Sequence, residues 1–165
     1  MKALNQLALL ALLLSNTFCH AQDSLIRPEF MDIPFVTNGD QKPFGLEHHL
    51  LKVKYGSNWS TRWKTLAPDT TLSVIVDRKS DFRIVMQVNN QWMIQGLELY
   101  ILEPVKDGLG VKYQGRKTED LLQRKIKINF RRIENDFYEI VPSKELSAGK
   151  YGFLFGGDCY VFQVM

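Results

Sequence analysis

The chain has 165 residues, with 21 Lys and Arg against 18 Asp and Glu and 45% hydrophobic side chains, a globular composition. A net charge of +3 without one clustered basic face excludes nucleic acid as the expected partner. The two cysteines fall at Cys19 and Cys159, too few and too far apart to read as a disulfide or metal framework.

The N-terminus carries the three parts of a secretory signal peptide over residues 1–21. Lys2 supplies the positive start. Leu7 to Leu14 is an unbroken apolar run, and Cys19-His20-Ala21 offers small residues at the two positions that signal peptidase reads. A membrane-spanning helix needs roughly 20 apolar residues, so this run is too short to be an anchor, and no later segment is longer. Phe18 stands where a lipobox wants a small residue, which argues against lipidation of Cys19. Cleavage before Gln22 removes Lys2 and Cys19, leaving one cysteine and a charge of +2. The expected location is periplasmic or extracellular. The remaining chain, of about 144 residues, can bury roughly 68–70% of its unfolded surface without a disulfide.

Residues 22–42 read as a loose leader and a first hairpin, with Ile33–Val36 turning at Asn38-Gly39-Asp40 toward Phe44–Leu46. From there the dominant hydrophobic period is two, the signature of half-buried strands. Leu51, Val53 and Tyr55 alternate with lysines; Leu72, Val74 and Val76 with Thr71 and Ser73; Phe82, Ile84, Met86 and Val88 with Arg83 and Gln87. Leu97, Leu99 and Ile101 form another face. Lys106-Asp107-Gly108 is a turn signal before Val111 and Tyr113. Thr118–Arg124 is the one expected helix, capped by Thr118. Ile126, Ile128 and Phe130 alternate with Lys125, Lys127 and Asn129. Asn135-Asp136 turns into Phe137–Val141, which Pro142 ends. Tyr151–Phe155 and Cys159–Val164 flank Gly156-Gly157-Asp158. About eight short strands with turns every ten residues or so predict an all-β, antiparallel β-sandwich over residues 43–165.

One motif sharpens the topology. Leu146-Ser147-Ala148-Gly149-Lys150-Tyr151 resembles the tyrosine corner of immunoglobulin-like sandwiches, where a tyrosine at the start of the penultimate strand bonds to backbone upstream. Leu146 would plug the core, Gly149 would permit the turn, and the Tyr151 hydroxyl would reach backbone near Lys144–Leu146. Phe153 sits where antibody domains place a cysteine, and the expected third strand, Phe82–Val88, lacks their tryptophan. Together with Leu46-Glu47, Leu97-Glu98-Leu99-Tyr100, Pro142 and the closing strand Tyr160–Val164, the motif resembles a broad set of uncharacterised exported bacterial proteins. Their pattern has glycine where this chain has Gln163. The resemblance implies an immunoglobulin-like fold and an envelope location, and it implies no activity.

The chemistry-bearing residues form no recognisable catalytic, cofactor or metal constellation. His48 and His49 are adjacent on a strand, point to opposite faces, and are not expected to share a metal. There is no nucleophile elbow. Cys159 alternates with Tyr160 and Phe162, which is expected to place it on a less buried face. Acid pairs such as Glu119-Asp120 and Glu98 with Glu103 occur in any chain with 18 acids. Asp77, Asp81 and Asp107 lie in turns without a calcium-loop pattern. Arg116-Lys117, Lys125, Lys127, Arg131 and Arg132 read as a solvated face that protects a sheet edge.

The candidate contact surface is aromatic: Trp59, Arg62 and Trp63 in one polar segment between strands, and Trp92 in another polar loop. Such residues dominate binding hot spots. Alternatively each tryptophan folds back over a sandwich edge, and at least one of Trp59 and Trp63 is expected to do so. The expected function is that of a non-catalytic exported module, without cofactor, contacting an envelope protein or glycan. A carbohydrate-binding module using these tryptophans is the alternative, and a hydrolase comes third. N-terminal sequencing of the exported protein is expected to begin at Gln22; a mature chain starting at Met1, or a lipid on Cys19, would contradict the signal-peptide reading.

Overall fold

The computed structural model describes residues 27–38, 42–55, 61–67, 73–105, 108–114 and 123–165, with backbone alone at 53–55, 61–67 and 112–114. The signal peptide, residues 39–41 of the first turn, Trp59, residues 71–72, Lys106-Asp107, Arg116-Lys117 and residues 118–122 of the expected helix lie outside the described residues. Gln123 and Arg124 are helical.

The strands form two sheets. The first has the order β11 (Ile128–Arg132), β12 (Phe137–Pro142), β7 (Phe82–Gln87), β1 (Phe35–Asn38), β2 (Phe44–Gly45). The second has the order β3 (Glu47–Leu50), β14 (Asp158–Val164), β13 (Gly149–Phe155), β8 (Glu98–Val105), β9 (Gly108–Gln114), β5 (Thr61–Ala67), β4 (Lys52–Tyr55). Two short strands lie off this path: β10 (Lys125–Ile126) pairs with β8, and β6 (Ile75–Val76) runs parallel to β14. All other strand pairs are antiparallel. The fold is an all-β sandwich. Strands β1, β7, β12 and β11 against β8, β13 and β14 reproduce the ABED and CFG order of immunoglobulin-like sandwiches.

Three expectations shift. Phe82–Gln87 is the second strand of that order, not the third; Glu98–Val105 is the third, and it too lacks tryptophan. β1 lies inside the first sheet, with Phe35 and Val36 buried, so the sandwich begins before residue 43. Thr61–Ala67, read as part of a polar segment, is a strand, because β4 and β9 pair with it on both sides.

The inner faces of both sheets build the main core. Val36, Ile84, Met86 and Ile140 from the first sheet join Leu99, Tyr151, Phe153 and Phe162 from the second. The Phe162 ring stacks between Tyr151 at 5.5 Å and Phe153 at 5.8 Å. A second core lies on the opposite face of the same strands: Tyr100, Leu102, Leu154, Cys159 and Val161, with Leu109 and Val111 from β9. Its cause is topological. β3 and β4 stand at the two ends of the second sheet's order, yet only Leu51 separates them in the chain. The sheet therefore curls until its ends meet, and strands β8, β13 and β14 are buried on both sides. Such strands read as near-continuous apolar runs rather than alternations, as Gly152–Phe155 and Cys159–Phe162 do. Cys159 accordingly is fully buried, not on a less buried face. Gly152 fits closely here: a Cβ at that position would lie 3.0 Å from Cys159 Sγ and 3.2 Å from Leu102 Cδ1, so these side chains would have to shift by a few tenths of an ångström.

The hairpin between β13 and β14 turns in two residues, with Gly156 at φ +58°, a positive value that glycine adopts without strain. Lys127 alone separates β10 of the second sheet from β11 of the first, so the chain changes sheets there. Arg131 pairs with the buried Glu139 across β11 and β12, and Arg132 donates to the carbonyls of Glu134 and Asn135 at 3.1 Å, tying the turn. These two arginines are structural rather than a purely solvated face.

At the corner, Leu146 is buried and the Tyr151 hydroxyl donates to the Ser147 carbonyl at 2.7 Å, one residue later than expected. Gly149 has no positive φ, and a Cβ there would make an ordinary 3.7 Å contact with the Tyr151 ring, so the turn does not demand glycine. Tyr151→Phe removes one hydrogen bond and is expected to cost about 0.5–1.5 kcal/mol. Tyr151→Ala opens a cavity between Phe162 and Leu146 and is expected to cost roughly 3–5 kcal/mol. Urea melts of both variants measure this, and an alanine variant as stable as the parent would contradict the corner's role.

Candidate functional site

The aromatic candidates separate. Trp59 lies outside the described residues. Arg62 and Trp63 sit on β5, with backbone register opposite Tyr55 and Tyr113, and opposite Lys54 and Lys112. Trp92 is on α1 (Gln91–Gly96), which links β7 to β8. Among the described residues, β5 packs chiefly against β9, β4 and β3. Of the three tryptophans, Trp92 alone has a described side chain.

Trp92 is not in a loop. Asn90 caps a short helix, its side-chain oxygen accepting the Trp92 N–H at 3.0 Å, as N-cap asparagines do. Met93 on the helix and Leu97, the extended residue that follows it and donates its N–H to the Met93 carbonyl at 2.9 Å, are both buried in the main core. The helix ends at Gly96, where a Cβ would stand 2.8 Å from the Phe155 ring. Anchored this way, α1 leaves Trp92 68% exposed.

A groove of about 390 Å³ is lined by Ile94 and Gln95 from α1, by Leu97 just after it, and by Lys125, Lys127, Ile128 and Phe130 from the β10–β11 crossover. Gln95 is three residues from Trp92 and so shares its side of the helix. Ile94, Ile128 and Phe130 are half-buried against the main core, so the groove's floor is the edge of that core. Lys125 donates to Glu98 at 2.7 Å, and the Tyr100 hydroxyl donates to the same carboxylate at 2.9 Å. Burial first, then Glu98, pushes the Tyr100 hydroxyl pKa well above its ordinary value. The Lys127 side chain is exposed and makes no ion pair or hydrogen bond with the described residues.

The other chemistry-bearing residues serve structure. His48 Nε2 meets Asp158 Oδ1 at 2.7 Å and His49 Nε2 meets Glu47 Oε1 at 2.7 Å, so the histidines face different carboxylates. Partial burial alone would push the Glu47 carboxyl up. Hydrogen bonds from the Ser73 N–H at 3.0 Å and hydroxyl at 2.8 Å, with His49, outweigh it and hold the group below its ordinary range. Glu98 and Glu103 are five apart on β8, hence on opposite faces, and each has a cation: Lys125, and Arg124 at 2.6 Å. Asp77 caps its own turn, accepting the Lys79 N–H at 2.9 Å. Among the described residues, no three His, Cys, Asp or Glu side chains converge as metal ligands, and no helix is long and apolar enough to cross a membrane.

A second cavity, of about 230 Å³, lies between β7 and β12 among Arg78, Phe82, Arg83, Lys144 and Glu145. It is smaller than the roughly 300–1,000 Å³ of ordinary ligand sites. Arg78 Nε is held by Glu145 at 2.8 Å. No protein-family model matches the sequence, and comparisons with curated proteins and with solved structures return no match.

The α1 groove was missed in the sequence because Asn89-Asn90-Gln91 reads as polar loop. The available signal was the cap at Asn90 followed by Met93 and Leu97 at helical spacing. Burial pushes the Cys159 thiol pKa up to about 12. Since the thiolate is the reactive form, Cys159 is expected to resist a thiol reagent in native protein at pH 8 and to react within minutes in denaturant. Equal labelling rates in the two conditions would contradict its burial.

Proposed function

We propose that this chain is an exported, non-catalytic β-sandwich that works by contact, with the α1 groove and Trp92 as its contact surface. The observation that carries this reading is Trp92 itself. A tryptophan 68% exposed on a helix anchored by Met93 and Leu97 contributes little to the core and presents a large rigid aromatic face. Interfaces concentrate their energy in such residues. The signal-peptide pattern of residues 1–21 and the resemblance to exported bacterial immunoglobulin-like proteins support an envelope location. Most of the carboxylates described around the sandwich have a cation or a backbone N–H as partner, which supports contact over hydrolysis.

The glycan alternative rests on the same residue, because an exposed indole beside Gln95 also suits stacking on a sugar ring. Mature protein and Trp92→Ala are compared for thermal melting and for binding to isolated envelope material. The variant is expected to melt within about 2 °C of the parent, as surface substitutions do, and to lose at least tenfold in binding. Unchanged binding would contradict the proposed surface. Loss of binding after glycosidase treatment of the envelope material, but not after protease treatment, would favour the glycan alternative.

A further inference from the structure

We propose that the groove beside α1 accepts an extended, acidic peptide segment of a different protein, added as a strand along the outer edge of β11. This rests on the contact reading above and names the partner's chemistry. Three observations carry it. First, β11 ends the first sheet's order, and its five residues pair only with β12 among the described residues. An edge strand keeps unmatched N–H and C=O groups that another strand can satisfy, a mode in which backbone bonds supply affinity and pockets for alternate side chains supply specificity. Second, the groove follows that edge. Ile128 and Phe130 are two residues apart, so they share one face of β11, and both line the groove with Ile94 and Leu97 opposite. Alternate apolar side chains of an added strand would enter this space and complete the half-buried margin of the core.

Third, the charge is one-sided. From Lys125 to Arg132 the crossover carries Lys125, Lys127, Arg131 and Arg132 and no acid. Three of these already have acceptors, in Glu98, in Glu139 and in the turn carbonyls. Lys127 has none among the described residues and stands exposed at the groove's rim. Like charges opposed across strands are destabilising, so a second copy of β11 pairing with itself is disfavoured, and a strand bearing carboxylates is favoured. Trp92 and Gln95 would then close over the added strand from the helix side.

The test uses the mature protein and a capped peptide alternating glutamate and valine over about seven residues, with a lysine–valine peptide as control. Amide chemical shifts and Trp92 fluorescence report binding. The acidic peptide is expected to bind at or below about millimolar Kd, shifting amides of β11 and α1, while the basic one does not bind. Lys127→Glu, an exposed substitution that leaves the melt unchanged, is expected to weaken binding about tenfold. Of two peptides N-methylated on either all valines or all glutamates, at least one must lose binding, because one set of N–H groups faces the edge. Several results would overturn the proposal: no binding of the acidic peptide, retention by both N-methylated forms, displacement of the peptide by a neutral oligosaccharide, or a sedimenting dimer that the peptide dissociates. If the peptide fails while Trp92-dependent envelope binding stands, strand addition falls and the contact reading survives.

Discussion

The fold depends on burying the strands β8, β13 and β14 on both faces. A two-sheet sandwich ordinarily buries one face of each sheet and leaves the other to solvent. Here the second sheet curls until β3 and β4 meet around Leu51, and its outer face becomes the wall of a second core. Each fully buried large apolar side chain contributes roughly 1.5–3 kcal/mol relative to exposure, so a second layer on the same strands adds substantially to a chain without a disulfide. The arrangement leaves little room for side-chain bulk at Gly152, and it buries Cys159, which pushes the thiol pKa up. The tyrosine corner then fixes where β13 enters this doubly packed unit, through one hydroxyl on the Ser147 carbonyl.

Consolidating stability in those strands frees other parts of the molecule. The helix α1 needs only Met93, Leu97 and the Asn90 cap to hold it, and Trp92 can face solvent. The chain's change of sheets at Lys127 leaves an open margin between α1 and β11 where the main core meets water. Among the described residues, this leaves an apolar margin at the groove and an exposed Trp92, the two features on which the proposed contact role rests. In the same scaffold the histidines and most of the described acids make strand-to-strand or turn contacts.

Much of the sandwich was legible from period-two alternation, because strands such as Ile128–Arg132 do alternate between a half-buried inner face and an exposed outer one. The tyrosine corner was legible for a local reason, since its residues lie within six positions of each other. What alternation misread was β13 and β14. Their apolar runs mean burial on both sides, which depends on β3 and β4 closing the sheet, a pairing far away in sequence. For that reason Cys159 was assigned to the wrong environment. β5 was missed because Thr61–Lys64 is polar by composition, and its strand identity comes from pairing with β4 and β9. The groove was only partly legible: Trp92 stood out by residue type, whereas Ile94, Lys127 and Phe130 meet it through packing that no local pattern encodes.

The doubly buried strands are the central claim, and native-state amide hydrogen exchange addresses it directly. Amides that open only on global unfolding mark the most stable unit of a fold. The slowest-exchanging amides are expected on Leu99–Leu102, Tyr151–Leu154 and Cys159–Phe162, with those of the half-exposed edge strands β3 and β11 exchanging measurably sooner. Protection in β3 and β11 that equals or exceeds that of β8, β13 and β14 would contradict the account.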